Sequence, residues 1–199
     1  MKKVVLGALL GLSALPAVAN EGYFSGEVLL GKTDQELKSD FGDTDGDDSS
    51  FGIRGAYNLN KNVAFELGYM NHGEIDDTYI DEFGDTINDR FSSTAFNLGV
   101  KGVIPFENGF SLHGRLGLSF WDVELEETDS AFPGETFKGD DSGTDFYYGI
   151  GAQYTINEQF TIGAEYTLSE YGIKSGGDFT GLDADIDVKT LALSAGLNF

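Results

Sequence analysis

The chain lacks cysteine altogether, and it has little proline, few basic residues and only two histidines. Without cysteine, neither disulfides nor thiol catalysis nor thiolate metal ligation is available. Lys and Arg together number 12 against 34 Asp and Glu, which gives a formal net charge of -22. A chain this acidic repels nucleic acid and anionic lipid unless cations intervene. Nucleic-acid partners are therefore not expected.

Long hydrophobic runs are also missing, with one exception at the start of the chain. Lys2 and Lys3 precede an apolar run over residues 4–15, and the small residues at 17–19 offer a cleavage pattern. A membrane-spanning helix needs roughly 20 apolar residues, so this shorter run predicts a signal peptide over residues 1–19. We expect the mature domain to occupy residues 20–199 and any later membrane crossing to use strands.

Glycine and aromatic residues are abundant, with 28 Gly, 16 Phe and 9 Tyr. Apolar residues alternate with small or polar ones in eight segments, each about as long as a tilted strand that crosses a bilayer. These segments are 23–32, 51–59, 63–71, 93–104, 110–121, 146–156, 160–168 and 191–199. Alternation of this kind predicts eight strands with one apolar face each.

The connections between the segments alternate in length. Those at 60–62, 105–109 and 157–159 are short, whereas 33–50, 72–92, 122–145 and 170–187 are long and polar. This arrangement predicts an all-β fold, an eight-stranded antiparallel transmembrane up-and-down β-barrel with short periplasmic turns and four long acidic extracellular loops. A soluble sandwich is disfavoured because charged residues occupy the middle of the non-apolar faces.

Six of those charged residues are expected to point into the barrel. An eight-stranded barrel is just wide enough for inward side chains to fill it, so opposite charges inside should pair. The residues are Glu27, Arg54, Glu66, Lys101, Arg115 and Glu165. They form either a polar plug that fixes the strand register or a charged gate that leaks ions, and we favour the plug.

Six short strings support a family resemblance: GAYNLN at 55–60, VAFELGY at 63–69, GVKGVIP at 99–105, GRLG at 114–117, GAQY at 151–154 and AEY at 164–166. In this order they resemble the small outer-membrane barrels of the outer membrane protein A type, as a barrel domain alone. The resemblance implies a Gram-negative outer-membrane location and an interior ion-pair network that includes Glu66 and Lys101. Gln153 and Gly163 stand where charged partners would be expected, so the ion pairs inside this barrel should be arranged differently from those of the family. The terminal Phe199 resembles the signal read by the barrel-assembly machinery.

The four predicted loops contain 28 of the 34 acidic residues, and only Lys38, Arg90, Lys138 and Lys174 offset them there. One interpretation is solvation by dense like charge. The other is binding of Ca²⁺ or Mg²⁺, for which the candidate ligands are Asp43, Asp45, Asp47 and Asp48 around Gly46. The spacing departs from an EF-hand loop, so diffuse cation bridging to lipopolysaccharide is the simpler form of this hypothesis. No other cofactor is expected.

Enzymatic activity is not expected, because His72 and His113 are the only histidines and neither has an evident nucleophile in a catalytic arrangement. The sequence instead indicates a non-enzymatic outer-membrane surface protein, favoured as a monomer, that contributes to envelope integrity and to adhesion through its loops. A narrow, low-conductance ion channel is the alternative. The expected partners are outer-membrane lipid, lipopolysaccharide and, during biogenesis, the barrel-assembly machinery.

Overall fold

A computed structural model describes residues 22–39, 42–80, 83–174 and 183–199. The predicted signal peptide at 1–19 lies outside these ranges. No helix in the described part of the chain is long and apolar enough to cross a membrane.

Eight antiparallel strands form a closed barrel in chain order, as the alternation predicts. The first strand pairs with the last from Ser25 opposite Asn198 to Ser39 opposite Ala184, so the sheet has no free edge within the membrane. The strands are β1 (Tyr23–Ser39), β2 (Gly42–Asn58), β3 (Val63–Ile80), β4 (Thr86–Pro105), β5 (Phe110–Asp129), β6 (Phe137–Ile156), β7 (Phe160–Lys174) and β8 (Asp183–Asn198).

Both chain ends of the barrel lie at the rim with short turns. The three turns there follow β2, β4 and β6, and two of them contain residues with positive φ, at Gly109 (82°), Asn157 (51°) and Glu158 (63°). Left-handed backbone of this kind lets two antiparallel strands reverse over a few residues. Phe199 follows β8, and its backbone N–H donates to the carbonyl of Phe24, 2.8 Å away.

The apolar face of each strand points outward over the lower part of the barrel. Leu30, Leu116, Ile150 and Leu193 are each at least 64% exposed there, whereas charged residues of the opposite face are buried inside. This pattern is stable only if hydrocarbon surrounds the barrel, because water would leave a continuous apolar belt unsolvated. The predicted lipid-facing parity of the strands is confirmed.

The prediction of four long loops at 33–50, 72–92, 122–145 and 170–187 is wrong over most of these ranges. The strands run for 15 to 20 residues and extend well past the lipid-facing belt. Alternation continues there with inverted polarity, since Trp121 and Val123 point inward while Asp122 and Glu124 point outward. A water-surrounded barrel with an apolar interior requires this inversion. The prediction from sequence recognised strands only by outward apolar residues, so it assigned these segments to loops.

The extension above the membrane divides into two lobes. Pairing of β2 with β3 ends at Phe51 opposite Asn71, and pairing of β6 with β7 ends at Tyr147 opposite Ser169. The other described strand pairs continue upward. One lobe therefore contains β7, β8, β1 and β2, and the other contains β3, β4, β5 and β6.

An apolar cluster joins the lobes from inside. Ala95, Trp121 and Val123 come from one lobe, and Tyr171, Ile173, Ile186 and Val188 come from the other. The rings of Trp121 and Tyr171 stack with centroids 5.3 Å apart. Two carboxylates add links across the gaps, because Asp48 accepts the N–H of Glu74 at 2.9 Å and Asp145 accepts that of Gly172 at 3.4 Å. We call the seven residues of the apolar cluster the upper plug.

The lipid-facing assignment predicts a large cost for charge at mid-membrane. We expect Leu116→Arg to lower the free energy of unfolding by about 2 to 4 kcal/mol in lipid, because the arginine replaces an outward leucine in hydrocarbon. Reversible urea unfolding in lipid vesicles measures this. Glu124→Arg on the same face of β5 but above the belt is the control and should have little effect. Equal stability of Leu116→Arg and wild type would show that this face does not contact lipid.

Candidate functional site

The lower lumen contains an ionic layer centred on Glu165. Its carboxylate accepts two hydrogen bonds from Arg54, one from Nη2 to Oε1 at 2.8 Å and one from Nη1 to Oε2 at 3.0 Å. The Nη2 atom of Arg115 lies 2.9 Å from the same Oε2. One carboxylate thus pairs with two guanidinium groups, and all three side chains are at most 7% exposed.

Lys101 and Glu27 extend this layer on another side of the barrel. Arg54 donates from Nη1 to Glu27 at 3.1 Å, and the Lys101 ammonium donates to Glu27 at 3.3 Å and to the amide oxygen of Gln153 at 2.8 Å. Gln153 therefore serves as a neutral acceptor where a charged partner was expected. At this point the ionic layer contains a neutral amide in place of a charged side chain.

Glu66 is the least well paired member of the layer. Its nearest cationic atom is Nη1 of Arg115 at 3.6 Å, and neither carboxylate oxygen of Glu66 has a hydrogen-bond donor in the described lumen. The N–H groups of Arg115 likewise form no hydrogen bond of normal geometry in the described lumen, although Arg115 Nη2 lies close to the carboxylate of Glu165. Electrostatic attraction, rather than directed hydrogen bonding, holds Arg115 in place. The structure thus brings all six predicted lumen residues together.

Small residues on the inner wall make room for one large ring above the ionic layer. Gly99 and Gly117 face each other across β4 and β5, and the ring of Tyr147 lies over both. An added Cβ at Gly117 would come within 2.7 Å of that ring and 2.2 Å of a backbone carbonyl, so a side chain there must displace the wall. This close approach lets Tyr147, which is 3% exposed, fill the lumen.

A polar layer lies between the ionic layer and the upper plug. His72 is within 3.3 Å of the Tyr171 hydroxyl and 3.5 Å of Thr190, while Thr190 pairs with Thr33 at 2.7 Å. All four side chains are buried. The inward position of His72 was not predicted, because the predicted strand ended at residue 71, although His72 continues the inward parity of Glu66 and Met70. A bulge between Asn71 and Glu74 shifts the register at this position.

The second histidine, His113, is also inside the barrel. It is 6% exposed, and neither ring nitrogen has a hydrogen-bond partner among the described residues. Neither histidine contacts a carboxylate within hydrogen-bond distance in that part of the chain, so the arrangement that a histidine base needs is not formed there. The two rings occupy lumen positions.

The candidate cation ligands occupy both faces of β2. Asp45 and Asp47 point outward, and Asp47 lies 2.5 Å from Lys32. Asp48 points inward, where N–H groups of Glu74 and Ser49 lower its carboxyl pKa by stabilising the charged form. The side chain of Asp43 lies outside the described part. Among the residues described, no three acidic or histidine side chains are grouped closely enough to hold a metal ion.

Three carboxylates form a row that sequence reasoning missed. Asp89 on β4 lies opposite Asp77 on β3 and opposite Glu127 on β5. Partial burial and the two neighbouring charges raise the Asp89 pKa to about 6. Burial and Asp129 raise the pKa of Glu127 as well. Like charges directly opposite in a sheet are destabilising, so this row is least stable when all three groups are ionised.

The shared carboxylate of Glu165 should be the most costly lumen charge to remove. We expect Glu165→Gln to lower the free energy of unfolding by about 3 to 5 kcal/mol, because Arg54 and Arg115 lose their common counter-charge inside the barrel. Thermal or urea unfolding in detergent micelles measures this. Lys138→Met, which removes an exposed charge paired with Glu126, is the control and should cost less than about 1 kcal/mol.

Lys101→Met tests the other side of the layer by the same measurement. It should destabilise more than Lys138→Met, because it leaves Glu27 with Arg54 alone. Equal effects of all three substitutions would contradict a paired lumen.

The carboxylate row predicts a pH dependence. Because the native pKa of Asp89 is raised to about 6, the folded state binds more protons than the unfolded chain between about pH 4 and 6. Its contribution to stability is therefore present at low pH and lost as pH rises through 6. We expect Asp89→Asn to flatten this part of the stability curve and to raise stability at pH 7. An unchanged pH profile would contradict the assignment, and Asp122→Asn on the outer wall is the control.

Comparison with known proteins agrees with this architecture. Ail, the attachment invasion locus protein of Yersinia pestis, was solved in complex with the heparin analogue sucrose octasulfate. It is 22% identical, with a TM-score of 0.54 over 90% of this chain and 100% of that one. Neisserial surface protein A matches 87% of this chain and 97% of its own at 12% identity and a TM-score of 0.55. The outer membrane protein OprG of Pseudomonas aeruginosa matches 92% and 97% at 13% identity and a TM-score of 0.53.

At these identities the structural matches show a shared fold alone. No curated protein matches the chain by sequence. Residues 4–199 match the family described as outer membrane protein beta-barrel domain, which covers nearly the whole chain. The lipid-facing belt, the closed eight-stranded sheet and this match agree, and the chain belongs to the outer membrane protein beta-barrel family of Gram-negative outer membranes.

Proposed function

We propose that this outer-membrane barrel is a non-conducting, non-enzymatic surface protein that supports envelope integrity and makes adhesive contacts through its acidic extension. The observation that carries the proposal is the filled lumen. The ionic layer, the polar layer and the upper plug lie one above another, and the side chains of Arg115 in the ionic layer and Ile186 in the upper plug have no solvent exposure. Three successive layers of buried side chains support a lumen without a continuous water path.

The paired ionic layer supports a structural role for the lumen charges. A conducting path needs sites that bind an ion weakly and release it. Here the basic groups of the layer are engaged by Glu165, Glu27 and Gln153, and moving them would separate buried opposite charges. The upper plug adds an apolar barrier above them. Both features favour a plug over a gate.

The surroundings of the two histidines support a non-enzymatic role. His72 is enclosed by Tyr171 and Thr190 between two filled layers, and His113 is buried lower down in the lumen. A substrate approaching from the cell surface would have to displace the upper plug to reach His72, and the ionic layer as well to reach His113. The extracellular wall is thus the accessible part of the protein.

That wall is built of paired strands and is acidic, which supports a role in surface contact. Its outward residues above the belt include Asp34, Asp45, Asp122, Glu124, Asp140, Glu170 and Asp185, each exposed. Carboxylates at this height stand beside lipopolysaccharide phosphates, and divalent cations can bridge the two kinds of group. We include lipopolysaccharide, bridged by Ca²⁺ or Mg²⁺, among the proposed partners, and such bridging would strengthen the envelope around each barrel.

Planar-bilayer recording tests the closed lumen against the narrow channel. We expect the purified protein, reconstituted with correct orientation and fold, to give no discrete current steps, because no layer of the lumen is open. A wide trimeric porin reconstituted in the same way is the positive control. Reproducible steps that change with Lys101→Met or Glu27→Gln would overturn the plug and establish the channel.

A further inference from the structure

An acidic cleft separates β2 from β3 above the membrane. Asp45 and Asp47 line one side, Glu74 and Asp76 line the other, and the cleft has a volume of about 370 Å³. Its floor is apolar, because the side chain of Ile75 reaches across to the backbone of Gly46. We call this the β2–β3 cleft.

One wall of the cleft is an open strand edge. β3 pairs with β4 from Glu74 opposite Ser92 to Ile80 opposite Thr86, but on its other side it has no ladder partner among the described residues above Asn71. The Glu74 N–H points into the cleft, since it donates to the Asp48 carboxylate. Successive residues of a strand point their backbone groups to opposite sides, so those of Asp76 and Thr78 also point into the cleft.

The charge of the cleft selects its occupant. Five carboxylates line it, since Asp77 joins the four already named. The nearest basic residues, Lys32 and Arg90, are already paired, Lys32 with Asp47 and Arg90 with Glu74 and Asp76. A nucleic acid, a sulfated polysaccharide or a lipid phosphate would meet like charge there. A second copy of the chain would bring the same acidic edge. A basic, extended polypeptide satisfies both the carboxylates and the open backbone edge.

We propose that the β2–β3 cleft binds an extended basic peptide segment, which adds to the open edge of β3 as a further strand. The proposal rests on the surface-contact role above and names the class of partner for it. Backbone hydrogen bonds to Asp76 and Thr78 provide the pairing. Alternate Lys or Arg side chains lie beside Glu74 and Asp76, and the side chains between them face Ile75.

The second gap between the lobes is less suited to a partner. Between β6 and β7, the indole of Trp121 lies over Gly143, and its N–H donates to Asp145 at 2.7 Å. Asp145 also accepts the Gly172 N–H. The protein's own side chains thus occupy this gap at the height where pairing stops.

The test uses the full-length mature protein in micelles and a synthetic peptide of four alternating Lys-Val pairs with a fluorescent label. We expect saturable binding by fluorescence anisotropy. A peptide with the same sequence, N-methylated at alternate residues along one edge, keeps the charge but loses the donors on that edge, and should bind at least about fivefold more weakly.

Thr78→Pro tests the edge itself. It removes an N–H that points into the cleft while leaving the β4 ladder intact, and we expect at least about fivefold weaker binding. Thr78→Val keeps the N–H and removes only the hydroxyl that contacts Asn88, so it should bind like wild type. Asp45→Asn with Glu74→Gln should weaken binding roughly fivefold, whereas Asp122→Asn with Glu124→Gln, an equal charge change on β5, should not.

Equal binding of the N-methylated and unmodified peptides, or equal loss in both double variants, would show diffuse attraction and overturn the proposal. Absence of binding would overturn it as well. Neither result affects the closed lumen, which the bilayer recording tests separately. Conversely, current steps in a protein that still binds the peptide through Thr78 would overturn the non-conducting role and leave the cleft standing.

Discussion

The pairing of every backbone N–H and C=O inside hydrocarbon is the constraint on which this structure depends. No water is available there, so the sheet must close, and the ladder between β1 and β8 closes it. Above the hydrocarbon, water can satisfy backbone groups, and it is there that pairing lapses between β2 and β3 and between β6 and β7. The two lobes and the acidic cleft exist because the constraint ends at the membrane surface.

Closure also creates the electrostatic problem that the lumen solves. A closed eight-stranded sheet encloses a narrow space, so charged residues on its inner face lose water and must find partners. Glu165 pairs with two arginines, Glu27 pairs with Arg54 and Lys101, and Gln153 accepts a second hydrogen bond from Lys101. These contacts join residues from six strands. The same pairs therefore fix the strand register and fill the lumen.

Much of this was predictable from sequence. Period-two alternation gave eight strands and the lipid-facing side, and charges on the other parity identified the lumen residues, because hydrocarbon imposes a strong and regular pattern. The extension was missed because its polarity is inverted: Trp121 and Val123 lie inside where Leu116 and Leu118 lie outside, with acidic residues between. His72 continues the inward parity of Glu66 and Met70, but it lies one residue beyond the segment predicted as a strand, and the bulge there changes the parity of the residues that follow. The row of Asp77, Asp89 and Glu127 depends on how three strands are aligned with one another. The alternation pattern of each single segment does not reveal that alignment.

The inversion of polarity along each strand also determines how deeply the protein is immersed. On β5, Phe120 is the last outward apolar residue and Asp122 the first outward acid, and on β1 the same change falls between Leu30 and Lys32. A shift of the barrel by one such step toward the cell would draw carboxylates into hydrocarbon, while a shift outward would expose leucine and phenylalanine to water. Both displacements raise the free energy, so the position of this polarity change along the strands sets the depth of the barrel in the membrane. The cleft is therefore held at a fixed height above the lipid surface.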